Sequence, residues 1–161
     1  MKFDDAFTLL IGNGGKLSLD PKDPGNWTGG RIGKGVMKGS KYGISSASYP
    51  DLDIKSITLS DAKDIYKKSY WIDGITDEIA FDFFDTSVNS GKSRAIKILQ
   101  QTVGVTVDGN IGPKTLAAIR VTDNLKRKFN AYRLLFMTDC GVWESQGKGW
   151  ARRIANNLLL D

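Results

Sequence analysis

The stretch from Asn13 to Ile44, NGGKLSLDPKDPGNWTGGRIGKGVMKGSKYGI, constrains this chain more than any other, because turn-forming residues follow one another along it. It comes directly after Phe3, Ala6, Phe7, Leu10 and Ile11, whose i, i+3, i+4 spacing puts one apolar stripe on a helix. Gly14 and Gly15 are placed to end that helix in the left-handed conformation that other residues adopt at a cost. Asp20-Pro21 and Asp23-Pro24-Gly25-Asn26 then turn the chain twice, and Tyr42-Gly43-Ile44 closes the stretch. A helix end followed by such a ribbon makes a natural cleft wall. The glycine-heavy segment from Gly29 to Gly39 alternates small or polar with apolar residues, and it reads as a β-hairpin or flap over that cleft or as a plain surface loop.

Three runs carry a resemblance: Ile11-Gly12-Asn13-Gly14-Gly15, then Asp20-Pro21-Lys22-Asp23-Pro24-Gly25-Asn26-Trp27-Thr28, then Lys41-Tyr42-Gly43-Ile44. Together they resemble the N-terminal catalytic region of the phage endolysins of glycoside hydrolase family 108, which are similar to N-acetylmuramidases and cut the glycan strands of peptidoglycan in host lysis. The resemblance implies a mainly α (α+β) fold, a lysozyme-like helical domain with a small β-hairpin at the cleft. In that family the first helix ends in Glu-Gly-Gly, and the Asp of the Asp-Pro-Gly turn follows nine residues after the Glu. Nine residues before Asp23 stands Gly14, and Asp20 and Thr28 fall in register without a gap. The position that the resemblance assigns to the general acid therefore holds glycine. Placing Asn13 there instead requires a one-residue insertion before Asp20 and still supplies no acid.

Glycoside cleavage usually needs one carboxylic acid to protonate the leaving oxygen and a second carboxylate, or a water that it holds, on the far side of the ring. Glycine does neither, and general-acid help is typically worth ~10²–10⁴-fold. The chain thus reads as a badly impaired hydrolase, by a deliberate Glu→Gly change or by natural loss. By the resemblance Asp23 orients or activates the attacking water, with Thr28 or Ser40 as its hydroxyl helper, because Ser40-Lys41-Tyr42-Gly43-Ile44 stands where the family has Thr-Lys-Tyr-Gly-Ile. On the residues alone an Asp before Pro-Gly equally caps a turn, and Asp20 shares that ambiguity. Trp27 and Tyr42 are stacking platforms for sugar rings, with Asp20 as a further substrate-binding candidate. Trp27 serves as well as a lid on the core.

Beyond Ile44 helical periodicity takes over. Thr58-Leu59-Ser60-Asp61 has the hydroxyl and carboxylate of a capping box, and Ala62, Ile65, Tyr66 and Tyr70 follow at helical spacing. Trp71, Ile72 and Ile75 connect to a helix from Asp77 to Asn89 with Ile79, Ala80, Phe83, Phe84 and Val88 on one face. Ala95, Ile96, Leu99 and Val103 mark another after the Asn89-Ser90-Gly91 break, and Pro113 suits the first turn of a short helix through Ile119. Val121, Leu125, Phe129, Tyr132 and Phe136 predict one long helix with Lys126, Arg127 and Lys128 in solvent. The last helix, Gly149 to Leu159, sets Trp150, Ile154 and Leu158 on one side and Arg152 and Arg153 on the other.

The segment from Arg94 to Ile119, with Leu99-Gln100-Gln101 and Val107-Asp108-Gly109-Asn110-Ile111-Gly112-Pro113-Lys114-Thr115, resembles the small helical peptidoglycan-binding module that commonly follows this catalytic region. Two regions are therefore expected, a catalytic one over 1–90 and a peptidoglycan-binding-like one over 91–161, packed as one compact unit. Within the signature, Asp108-Gly109, Gly112 and Pro113 read as turn and helix-start residues with no need to touch sugar.

At 161 residues, 40% of them hydrophobic, the chain can bury a core and still form a cleft. Its net charge of +5 favours anionic partners such as nucleic acid, membrane surfaces or the cell wall. Lysines and arginines are scattered instead of clustered with aromatics on one element, so nucleic acid is not expected. The basic last helix is suited to outer-membrane or lipopolysaccharide contact, or is simply soluble surface. With no histidine, Ser-His-Asp, Cys-His and histidine-zinc chemistry are excluded, and the single Cys140 reads as a free buried thiol. No metal or nucleotide motif appears, so no cofactor is expected.

The N-terminus lacks the apolar core of a signal peptide, and no segment approaches the ~18–20 apolar residues of a membrane span. The expectation is a monomer made in the host cytoplasm that reaches the periplasm and wall after a separate protein permeabilises the membrane. Two functions of different class remain: a peptidoglycan glycosidase, and a non-catalytic cell-wall binding protein.

Overall fold

The computed structural model describes residues 1–12 and 15–160, so Gly14, the position expected to hold the general acid, lies outside the described residues. The chain divides into two compact units, Lys2–Lys68 and Ser69–Asp161, the second also taking Met1.

In the first unit, α1 (Phe3–Ile11) buries Phe3, Ala6 and Phe7 along the expected stripe. Phe7 meets Tyr66 of α2 (Leu59–Tyr70) edge-on, with ring centroids 5.4 Å apart. The capping box before α2 forms as the sequence predicts. Asp61 Oδ2 accepts from the Thr58 N–H and from the Thr58 hydroxyl, each at 2.7 Å, and these bonds hold the Asp61 carboxyl below its usual range. One expectation shifts at α1: Gly12, at φ 62°, ends the helix and donates its N–H to the Thr8 carbonyl, earlier than the Gly14-Gly15 pair.

Between the two helices lie a 3₁₀ turn (Pro24–Asn26) and one antiparallel hairpin, β1 (Ser40–Lys41) with β2 (Ile44–Ser45). The hairpin therefore sits just after Gly29–Gly39 instead of within it. Gly30, Gly33 and Gly35 pass through positive φ, which breaks any strand, and the segment closes as an exposed loop with a single bridge from Trp27 to Met37.

The second unit is helical: α3 (Ala80–Ser90), α4 (Lys92–Val103), α5 (Pro113–Val121), α6 (Leu125–Thr138) and α7 (Trp143–Leu158). Every residue of α3 from Ala80 to Ser87 is buried, so this helix is enclosed on all sides. It packs on α4 and α6, and α6 packs in turn on α4 and α7. Ile79, Phe83, Ile98, Leu99, Ile119, Leu125 and Phe129 form the apolar centre. Among the described residues the architecture is thus seven α-helices and one small antiparallel hairpin, the fold class expected.

The interior of this unit also departs from the apolar-stripe reading. The long helix expected from Val121 is two helices, interrupted at residues 122–124 where Asn124 adopts φ 55°, and Val121 is left 80% exposed. The buried face of α6 runs through Leu125, Phe129, Asn130, Arg133 and Met137, while Tyr132 is exposed. Likewise α3 starts at Ala80 instead of Asp77, and α7 starts at Trp143, six residues before Gly149. Ile154 is buried and Arg152 exposed as expected, but two residues exchange roles: half-buried Arg153 turns its Nε inward and Leu158 is exposed. Cys140 is half-buried, its thiol donating to the Phe136 carbonyl.

Asp85 explains the reversal. Its Oδ2 accepts from Arg133 Nη2 and Asn157 Nδ2, each at 2.8 Å, and its Oδ1 accepts from Arg153 Nε at 2.7 Å. Arg133 and Asp85 are both almost fully withdrawn from water, at 0% and 1% side-chain exposure. One turn earlier on α3, Asp82 Oδ1 accepts from Asn130 Nδ2 at 2.7 Å. Burial pushes the Asp82 carboxyl above its usual value against the opposing pull of that bond. Burial also lowers the Arg133 guanidinium, which the Asp85 charge holds up.

Two outcomes are expected. Arg133→Met strands the Asp85 charge in the interior and should lower unfolding free energy by about 3–5 kcal/mol in urea titrations. Asp82 behaves oppositely. A carboxyl raised in the folded state costs stability once pH passes its unfolded value of 3.8, so Asp82→Asn should raise the melting temperature at neutral pH and lose that gain below 3.8. Equal melting of the two chains at neutral pH would contradict a raised Asp82.

Candidate functional site

The expected site residues that are described, Asp20, Asp23, Trp27, Thr28, Ser40 and Tyr42, lie in the first unit, on the turns and hairpin between α1 and α2. Asp20 and Asp23 each bend the chain back on its own side chain: Asp20 Oδ1 accepts from the Lys22 N–H at 2.9 Å, and Asp23 Oδ1 accepts from the Gly25 N–H at 2.8 Å. Both carboxylates are exposed. Asp23 therefore does fill the turn-capping role that the residues alone predict, using one oxygen. Its other oxygen makes no hydrogen bond among the described residues.

Asn26, buried completely, anchors these turns. Its amide donates to the Asp20 carbonyl at 3.0 Å and reaches Ser18 Oγ at 3.4 Å. Its own carbonyl accepts from the N–H groups of Lys38 and Gly39 at 3.0 and 3.1 Å. Sequence reasoning took Asn26 only as a turn former; nothing in an Asn after Pro-Gly distinguishes a side chain that folds inward from one left in water. Gly25 adds a second tie, its carbonyl accepting from the Ala47 N–H at 3.0 Å and from the Ser46 hydroxyl at 3.3 Å.

Trp27 is half-buried, with Nε1 donating to the Pro21 carbonyl at 3.0 Å, so its ring is pinned across the first turn. Thr28 Oγ1 accepts from the Val36 N–H at 2.9 Å, and the Thr28 N–H donates back to the Val36 carbonyl at 2.9 Å. The Thr28 hydroxyl closes the glycine loop and keeps its own proton to donate. Ser40 pairs through its backbone with Ser18, at 2.8 and 3.0 Å, and its hydroxyl has no partner among the described residues. The two hydroxyl candidates are thus distinguishable: one is committed as an acceptor, and the other is open.

Tyr42 and Gly43 make the two-residue turn of the hairpin, both at positive φ, 53° and 74°, as a primed turn requires. Tyr66 supports the turn by donating its hydroxyl to the Tyr42 carbonyl at 3.1 Å. A Cβ added at Gly43 would overlap that same hydroxyl oxygen. The Tyr42 ring lies against Gly15, close enough that a Cβ there would overlap Cε1 and stand 2.8 Å from Cζ. Lys41 Nζ sits 5.4 Å from the Tyr42 ring centroid and donates to the Ile57 carbonyl at 2.8 Å, which ties the hairpin to the lead-in of α2.

The hydrogen bonds join Asp20, Asp23, Trp27 and Ser40 into one lobe around Asn26, with Thr28 at its loop and Tyr42 on the neighbouring turn. A cavity of about 470 Å³ in this unit lies elsewhere, between Leu52, Ile57, Asp61 and Ile65, and contains none of these residues. No group of three or more acidic or cysteine side chains among the described residues is gathered to hold a metal ion.

A family model described as Glycosyl hydrolase 108 matches residues 7–91, and one described as Predicted Peptidoglycan domain matches residues 94–137. Among solved structures, the chain is similar to Brucella abortus SagA, at 31% sequence identity over 96% of this chain and 90% of that one, with a TM-score of 0.76. No curated protein matches.

The Tyr42-Gly43 turn gives a direct test of how the lobe is held. Gly43→Ala meets both an unfavourable φ and the Tyr66 hydroxyl, and should destabilise the chain by about 1–3 kcal/mol in urea unfolding. Tyr66→Phe removes only the hydrogen bond and should cost about 1 kcal/mol. If Gly43→Ala unfolds at the same urea concentration as the parent, the turn is not the constraint described.

Proposed function

The chain belongs to the glycosyl hydrolase 108 family, and from that premise we propose that it is a muramidase-type peptidoglycan hydrolase in which glycine holds the general-acid position. The family and the peptidoglycan domain that follows make it a member of a cell-wall hydrolase family with peptidoglycan as its partner. The finer reading rests on one observation in the sequence: Gly14 stands nine residues before Asp23, where the catalytic region of this family carries Glu.

On this reading Asp23 supplies the carboxylate that holds and activates water, through the oxygen not used for the Gly25 N–H. A hydroxyl beside it fixes the water's second hydrogen bond. Ser40 is the freer of the two candidates, and Thr28 can donate only while its oxygen stays on Val36. Trp27, its ring held by the Nε1 bond to the Pro21 carbonyl, and Tyr42, on a turn whose carbonyl accepts from Tyr66, present rings to a sugar. What is missing is the proton for the leaving oxygen. The chain then binds glycan and turns it over slowly, which also accommodates the alternative of a wall-binding protein that has given up catalysis.

Restoring the acid separates the two. Gly14→Glu should raise the rate of turbidity loss of permeabilised Gram-negative cells by about 10²–10⁴-fold, the usual worth of a general acid. Adding Asp23→Asn to that variant should remove the gain, and of Thr28→Ala and Ser40→Ala the one that lowers kcat without loosening the fold identifies the hydroxyl. A folded Gly14→Glu chain as inert as the parent would leave only the wall-binding reading.

A further inference from the structure

The second unit holds a cavity of about 480 Å³ at the start of α5, lined by Val105, Thr106, Asp108, Pro113, Lys114 and Thr115. One wall is a cluster of donors. α5 starts on Gly112 with no side chain capping it, Pro113 brings no N–H, and the N–H groups of Lys114 and Thr115 have no acceptor within the helix. The positive end of the helix therefore faces out uncapped, beside the Lys114 ammonium. Thr115 adds the independent sign of a ligand: it is only 4% exposed, yet its hydroxyl, on the cavity wall, has no hydrogen-bond partner among the described residues. The hydroxyl is not one of the polar atoms sealed without a partner, so it is reached through the cavity that Thr115 lines and is open to whatever enters.

The same lining includes an acceptor. Asp108 is held below its usual range by the Asn110 N–H and the Gln100 amide, so it is fully ionised at neutral pH. Both of those bonds use Oδ1, at 2.8 and 2.7 Å. Oδ2 makes no hydrogen bond among the described residues. Gln100, 1% exposed, fixes the loop without any ligand: Nε2 also donates to the Asn110 carbonyl at 2.9 Å, and Oε1 accepts from the Gly109 N–H at 2.9 Å. The Gln100, Asp108, Gly109 and Asn110 bonds thus build one fastened, negatively charged wall, and the Gly-Pro-Lys-Thr that follows lines the same cavity with a positive one.

A ligand that satisfies both walls carries a carboxylate and an ammonium close together. N-acetylated sugar strands present neither. We propose that this groove recognises the stem peptide of peptidoglycan and not its glycan, with a free amino-acid end placing its carboxylate at the start of α5 and its ammonium on Asp108. The proposal rests on peptidoglycan being the partner, and it assigns the contact to the peptide.

The test titrates the full chain, by heteronuclear NMR, with a stem tripeptide ending in diaminopimelate and separately with chitotetraose. The tripeptide should shift the amides of residues 112–116, and chitotetraose should leave them unmoved. Thr115→Val, which keeps shape and burial, and acetylation of the tripeptide's terminal amine should each weaken binding about tenfold, the worth of one charge-assisted hydrogen bond. Retention on purified wall sacculi is measured in parallel. Unmoved amides with the tripeptide, or equal affinity for Thr115→Val and parent, overturn the groove; if sacculi are still retained, wall binding stands through other residues. No retention on sacculi at all overturns the wall reading, and the groove with it.

Discussion

A single carboxylate, Asp85, organises the second unit. It lies on a helix enclosed on every side and accepts three hydrogen bonds, two from guanidiniums and one from an amide, reaching it from α6 and α7. Both arginines converge on this one carboxylate, and the cost of withdrawing Asp85 and Arg133 from water is recovered only while the partners stay in place. This fixes the rotation of both outer helices about their axes. It also explains why Ile154 and Asn157, not Leu158, are the residues of α7 that face inward.

The first unit is held differently. Between its two helices the turns are fastened by hydrogen bonds to backbone and amide groups: Asn26 to Asp20 and to residues 38–39 just before the hairpin, Gly25 to residues 46–47 just after it, Lys41 to the end of the 53–57 loop. Such a lobe keeps its polar groups at the surface without a thick core below them. It suits a site that must present carboxylate, hydroxyl and aromatic groups to a sugar chain, since each is already positioned by a contact that does not involve substrate.

Much of this was legible in the residues. The stripe through Phe3, Ala6 and Phe7, the Thr58–Asp61 box, the break at Gly91 and the start at Pro113 are all local signals, each decided within one or two helical turns. The failures have a common cause. Arg153 read as part of the polar side, and Arg133 and Asn157 gave no signal, because hydrophobic periodicity has no means of registering a buried charge whose partner lies 48 or more residues away. Asn26 was missed for the same reason, and the hairpin was placed too early because alternation in Gly29–Gly39 counted glycines as strand residues. The described candidate residues of the family motif fall within one unit, but the hydrogen bonds that separate Thr28 from Ser40 are not written in any spacing.

The close approach of Tyr42 to Gly15 has a consequence for which residues this stretch can accept. Any side chain at residue 15 would drive into the tyrosine ring, so no carboxylic acid can stand there while the ring keeps its place. The position is reserved by the bulk of an aromatic ring for the one amino acid that has no side chain to offer.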